Sequence, residues 1–181
     1  MHVVDAGRLE RRRATAVRSR GAEDRHDYFY SVAEARYLLR KVFRLVEEQA
    51  RRAGLDPLAH QALIQIYGSK TGALKVREVA ERLDITPAFA STLVQELADR
   101  GLVLRSRDGD DLRVMWIKVT GKGRSMLYQI DEQVQAQVDR FTQAVSESRT
   151  EAAVSILMFY AGVSLKRRTA EQTPARRRKI G

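Results

Sequence analysis

The segment KVREVAERLDITPAFASTLVQELADRG, Lys75 to Gly101, constrains this chain more than any other part of it. Val76, Val79, Ala80 and Leu83 recur at three- and four-residue steps with charges opposite, which predicts a short amphipathic helix. Asp84, Ile85 and Thr86 leave room only for a tight turn, with Ile85 placed to plug the core. Thr86 is a good N-cap and Pro87 suits the first helical position, so a second helix starts at once. It is expected to bury Phe89, Ala90, Leu93, Val94 and Leu97 and to end at Gly101. Two short helices joined so tightly, with small Ala80 at the crossing, form a helix-turn-helix. Ala88, Ser91, Thr92 and Gln95 occupy the other face of the second helix, as short uncharged side chains able to approach base edges. An ordinary helical hairpin of a bundle is the alternative for these two helices alone.

The next segment separates the alternatives. LVLRSR (Leu102 to Arg107) and VMWIKVT (Val114 to Thr120) are short runs rich in β-branched residues around DGDDLR, which carries an Asp-Gly turn signal. A hairpin directly after a helix-turn-helix is a wing. The acids of its tip fit a metal loop poorly: Asp108, Asp110 and Asp111 lack the full alternation, and Val119 stands where a calcium loop needs glutamate. In a wing, Asp111 lies two residues before Arg113 on the same strand face and can hold that guanidinium toward the minor groove. Asp108 and Asp110 then read as solvated turn residues. The expected DNA-contacting set is Thr86, Ala88, Ser91, Thr92 and Gln95 with Arg105, Arg107, Asp111 and Arg113.

Charge agrees with a polyanionic partner, but its placement matters. The 181 residues carry a formal net charge of +10, of which Lys166 to Gly181 contribute +6 and Met1 to Asp27 contribute +2. The middle is nearly balanced. Both ends read as disordered, a basic N-terminal extension (1–27) and a basic C-terminal tail (166–181) whose ARRRK run adds nonspecific affinity for phosphates. There is no cysteine, which excludes disulfides, thiolate metal sites and cysteine nucleophiles. The longest strongly apolar run, Ile156 to Val163, is too short for a bilayer, and no apolar leader segment opens the chain, so a cytoplasmic protein is expected.

Enzyme signatures are missing. His2, His26 and His60 show no metal-ligand spacing, and no nucleophile elbow occurs. GSKTG at Gly68 to Gly72 lacks the spacing of a phosphate loop and follows a helix, so it reads as an inter-helix loop. No enzyme, metal or cofactor is expected.

The remaining pattern is helical. One helix is predicted from about Tyr28 to Ala53, ending at Gly54, and another from Asp56 and Pro57 through Tyr67. After Thr120, Leu127, Ile130, Val134, Val138, Phe141 and Val145 recur at steps of three and four, a seam suited to another helix. Ser148 with Glu151 reads as a capping box opening a last helix that is apolar nearly all round. Burial against a second subunit is the expectation for that helix, an intramolecular core position the alternative. The fold class is mainly α with a small β-hairpin wing: a winged helix-turn-helix lobe (about 56–120) within one domain (28–165), with a helical dimerisation lobe from both ends.

The chain resembles the MarR family of winged helix-turn-helix transcriptional regulators across roughly 28–165. The resemblance rests on VAERLDITPAFASTLVQELADRGLVLR, on the D-x-x-D-x-R spacing of Asp108, Asp111 and Arg113, and on VTGKG at Val119 to Gly123. Thr92 and Leu112 depart from it, standing where family members often carry arginine. The resemblance implies a two-fold homodimer on a palindromic double-stranded DNA operator, commonly repressing and released by small anionic aromatic ligands, in some relatives hydroxycinnamoyl-CoA thioesters. Arg36, Arg40 and Arg44 at i, i+4 and i+8, with Tyr37 beside them and no acid completing the stripe, are the residues suited to such an effector. Solvation, or pairing with acids of a second subunit, is the plainer reading of that row. A nonspecific basic architectural or RNA-binding protein is the alternative function; it calls for basic residues over the whole folded face.

Overall fold

The computed structural model describes residues 5–107 and 115–165. In chain order it contains α1 (Ala6–Arg20), α2 (His26–Arg52), α3 (Pro57–Tyr67), β1 (Ala73–Lys75), α4 (Val76–Leu83), α5 (Pro87–Asp99), β2 (Val103–Arg107), β3 (Met115–Val119), α6 (Gly121–Gln143) and α7 (Glu147–Tyr160). The fold is mainly helical with one antiparallel sheet, ordered β1-β3-β2. Two compact units emerge: Arg40–Thr142 form one, and the chain up to Leu39 with the chain from Gln143 forms the other.

In the central unit the expected start and stop signals act as read. Asp56 accepts from the backbone N–H of Leu58 at 2.8 Å and of Ala59 at 3.3 Å, with Pro57 opening α3. Asp84 closes α4 in the left-handed region (φ 53°), which a short polar side chain tolerates, and the Ile85 N–H donates to Ala80 O at 3.0 Å. That turn sends the chain directly into α5. Leu55, Leu63, Ile66, Val79, Leu97 and Ile117 share one core with Leu127 and Ile130 of α6. The first half of the α6 seam is therefore covered by its own chain rather than reserved for a partner helix.

β1 was not legible as a strand. Three residues after the GSKTG loop carry too little pattern, yet Leu74 pairs with Ile117 and both are buried. Phe89 corrects another expectation. It is 49% exposed, because the first turn of α5 projects past the core that Ala90, Leu93, Val94 and Leu97 reach.

The unit of chain ends brings the larger corrections. Residues 6–20, read as part of a disordered extension, form α1: Asp5 accepts from the Arg8 N–H at 2.6 Å, and Leu9 and Ala16, seven residues apart, bury one face. Six arginines masked that sparse stripe. α1 packs along α7, where Ala16, Ala35, Ala153 and Ile156 meet with Tyr28, Val32, Leu38 and Phe159 around them. α7 opens at Ser146, not Ser148, and Glu151 caps nothing. Glu151 is buried, 2.5 Å from the Arg8 Nε, an acid held by a distant arginine rather than by a local turn.

Candidate nucleic-acid interface

α5 is positioned from its first residue. The Thr86 side-chain oxygen accepts from the Phe89 N–H at 3.2 Å, so this expected DNA-contacting residue also serves as the N-cap. Ala88, Ser91, Thr92 and Gln95 are all exposed along the side of α5 opposite Ala90, Leu93, Val94 and Leu97. The Thr92 hydroxyl donates to Ala88 O at 3.3 Å. That face offers hydroxyls, a methyl and an amide.

The amide is not loose. Gln95 Nε2 donates to Asp99 Oδ1 at 2.7 Å, and Arg105 on β2 donates to Gln95 Oε1. A side-chain amide bonded on both atoms has its orientation set, since a flip would place like against like. Arg105 thus ties the first wing strand to the exposed face of α5, and Arg107 is exposed two residues further along. β2 pairs in register with β3, Arg105 opposite Ile117 and Arg107 opposite Met115. Asp111 and Arg113, like Asp108 and Leu112, lie outside the described residues.

The root of the hairpin is fixed by contacts that the VTGKG motif encodes. The Thr120 hydroxyl donates to Gly101 O at 2.8 Å, its backbone N–H donates to Leu102 O at 3.0 Å, and the Gly123 N–H donates to the Thr120 hydroxyl at 3.0 Å. A Cβ on Gly123 would lie 2.2 Å from Leu102 O, so only glycine lets α6 come this close. Lys122 Nζ donates to Arg100 O at 2.8 Å, at the C-terminus of α5. On the other strand edge, Lys75 Nζ stands 4.9 Å from the Trp116 ring centroid. Sequence reasoning missed Asp99 and Lys122, whose roles depend on i+4 and cross-element contacts that a single helix pattern does not display.

The expected effector residues are distributed. Arg36, Tyr37, Arg40 and Arg44 are all exposed on α2, Arg36 and Tyr37 in the unit of chain ends and Arg40 and Arg44 in the central unit. Tyr37 lies under Arg149, whose guanidinium is 4.7 Å from its ring centroid and donates to Glu34 at 2.6 Å. That bond to Glu34 is the main reason Arg149 holds its proton more firmly than usual. Within the central unit, Arg44 lines a cavity of about 780 Å³ with Lys41, Arg51, Gln137, Arg140 and Phe141. Glu47 and Glu48 line it too, paired with Arg51 and Arg52. The α6 contribution to this cavity was not foreseen, since Gln137, Arg140 and Phe141 read only as the surface and seam of a long helix. Among the described residues no group of His, Asp and Glu gathers as a metal site, and no helix is long and apolar enough to cross a membrane.

Comparison with known proteins places this geometry. Residues 53–113 match the MarR family model. The HTH-type transcriptional repressor MdtR of Bacillus subtilis is 28% identical over 86 residues, 48% of this chain and 54% of that protein, so the match spans about half of that relative. A mutant MarR from E. coli complexed with operator DNA superposes with a TM-score of 0.57 at 17% identity, covering 70% of this chain and 89% of that one. CouR from Rhodococcus jostii RHA1 bound to p-coumaroyl-CoA superposes with a TM-score of 0.54 at 24% identity, covering 70% and 88%. MdtR is a transcriptional repressor. Residues 53–113 thus match the MarR family, and the described chain has the winged helix-turn-helix fold of its solved regulators.

Proposed function

We propose that this chain is a homodimeric transcriptional repressor that binds a palindromic operator and is released by a small anionic aromatic ligand or an aromatic acyl-CoA. One observation carries the DNA-binding part: α5 presents an exposed row of short polar side chains whose amide, Gln95, is oriented by Asp99 and by Arg105 of the adjoining strand. A fixed donor and acceptor at a helix surface is what bidentate reading of a base edge requires. The operator complex of a relative with this fold supports the same reading.

Unpartnered apolar surface supports the dimer. Phe29, Leu39 and Phe43 on α2 and Leu157 and Tyr160 on α7 are exposed, and a second copy of the chain would cover such side chains. The effector reading is supported by the exposed arginines of α2, by the volume beside Arg44, which suits a small-molecule site, and by the p-coumaroyl-CoA complex of a relative with this fold.

Selection of preferred duplexes from a random pool, followed by footprinting, tests the proposal. The expected result is a discrete palindrome with half-sites about 34 Å apart; uniform coating would favour the nonspecific architectural protein. Adding p-coumaroyl-CoA or aromatic acids should then weaken operator binding by about 5- to 150-fold. Arg36→Ala, Arg40→Ala or Arg44→Ala should raise the concentration needed for release and leave ligand-free binding unchanged. Collapse of DNA affinity itself would move these arginines into the DNA footprint.

A further inference from the structure

The unit of chain ends holds a second cavity that neither the DNA contacts nor the α2 arginine row uses. It measures about 370 Å³, opens to solvent and is lined by α1, the N-terminal part of α2 and α7. That is the volume of about a dozen water molecules, at the small end of ligand pockets.

Arg8, Arg11 and Arg12 of α1 reach this cavity together, since steps of three and four residues share one helix face. Their situations differ. Arg8 is already engaged, 3.2 Å from Glu147 and 2.5 Å from buried Glu151. The Arg12 guanidinium lies over the Tyr30 ring, 5.7 Å from its centroid. Among the described residues, neither Arg11 nor Arg12 has a carboxylate at ion-pair distance, although two cations one residue apart repel. Among the described residues the acids lining the cavity are Glu151, held by Arg8, and Asp27, on an exposed side chain 4.0 Å from His26 Nδ1.

Part of the cavity wall is buried. Ser31 is 2% exposed, Ala16 equally buried, and both line the cavity. Thr15 and Tyr30 add hydroxyls, that of Thr15 already donating to Arg11 O at 3.0 Å. Two guanidinium forks and a buried hydroxyl lining one cavity match the oxygens of a carboxylate or phosphate. A concavity of this size, with its hydroxyl at the buried wall, takes a small molecule rather than the broad surface of a duplex.

We propose that α1 and α2 form a binding site for a small oxyanion, a carboxylate or a phosphate monoester, with Arg11 and Arg12 as its charge partners and Ser31 as an orienting hydroxyl. The site stands independently of the effector row on α2 and of operator binding.

Calorimetric titration of the full chain with inorganic phosphate, phenyl phosphate and benzoate tests it. Saturable binding at one site per chain is expected, with Arg11→Ala and Arg12→Ala each weakening it by about tenfold or more. Arg18→Ala, on an exposed residue of α1 that does not line the cavity, should leave it unchanged. Tighter phenyl phosphate than benzoate identifies a phosphate monoester, and the reverse order a carboxylate. Should Arg12→Ala lose helix by circular dichroism, Arg12→Lys keeps the charge without the fork and should still weaken binding. No saturable heat with any of the three probes would overturn the proposal, as would equal weakening by Arg18→Ala, the mark of diffuse charge. Displacement of phenyl phosphate by duplex DNA, with Arg11→Ala weakening both alike, would also overturn it by assigning these cations to nucleic acid.

Discussion

The core of the central unit includes large, branched, fully buried side chains, Leu55, Leu63, Ile66, Leu97, Ile117 and Ile130, among its alanines, whereas the core cluster of the chain-end unit is Ala16, Ala35, Ala153 and a single branched residue, Ile156. The difference continues in the polar contacts. Hairpin root and helix caps organise the first unit through backbone carbonyls and N–H groups. In the second, arginines do that work: Arg8 on Glu147 and Glu151, Arg149 on Glu34 and Tyr37, Arg20 over Tyr28 and Phe159. One unit is held by area removed from water, which charge screening does not weaken; the other leans on charge, which salt screens.

The largest expected effect breaks the hydrophobic side of this contrast. Leu97→Ala should lower stability by about 2–5 kcal/mol, read in denaturant by the fluorescence of Trp116, the chain's single tryptophan and a residue of the central unit. A loss below 1 kcal/mol would mean that α5 is not anchored through its core face. Arg8→Ala attacks the other unit. It leaves Glu151 buried without its cation, at a cost of about 1–3 kcal/mol, reduced because Arg8 itself is half exposed. Helical signal should melt earlier while the Trp116 transition stays put, and high salt should narrow the gap to wild type. Coincident shifts of both probes would dissolve the contrast.

Operator binding sharpens it further. Arg113→Ala, the arginine that the sequence assigns to the minor groove, should cost about 1–3 kcal/mol of specific affinity with helix content intact, checked by gel shift at fixed salt. In a double-mutant cycle, Gln95→Ala and Arg105→Ala should couple by about 0.5–1 kcal/mol or more in DNA affinity, whereas strict additivity would deny the tie between α5 and β2. The smallest effect is on pH. Burial pushes the His60 imidazole of α3 below its ordinary value, only partly opposed by Asp131, so the folded state favours the neutral ring. Stability from this group is complete above the ordinary histidine range and declines as pH falls through it. His60→Gln should flatten the decline of the Trp116 transition between pH 7 and pH 5.

The same contrast explains what the sequence made legible. α3 and α5 announce themselves because Asp56, Thr86 and two prolines mark their starts, and α4 because Val76, Val79, Ala80 and Leu83 repeat at helical steps. Gly123 was legible as part of a motif, though only the structure shows the carbonyl that excludes a side chain there. α1 was hidden because alanine and a single leucine make its buried stripe, and its partners lie more than a hundred residues away on α7. Phe89 was misplaced for a related reason: helical periodicity assigns a face but not where the opposing core ends. At the candidate site, Ser91, Thr92 and Gln95 could be read from the helix face, whereas the part played by Asp99 needed the fold.

The joint of Gly101, Leu102, Thr120 and Gly123 has a consequence for how a chain of this kind diverges. Its contacts engage backbone atoms, one hydroxyl and one absent Cβ, so they are indifferent to the side chains of the strands that leave it. Substitutions at exposed Arg105 and Arg107 therefore change what β2 presents without touching its base. The exposed face of β2 is free to vary on an unaltered mount, whereas Thr120 and Gly123, whose hydroxyl and missing Cβ make the joint, are not.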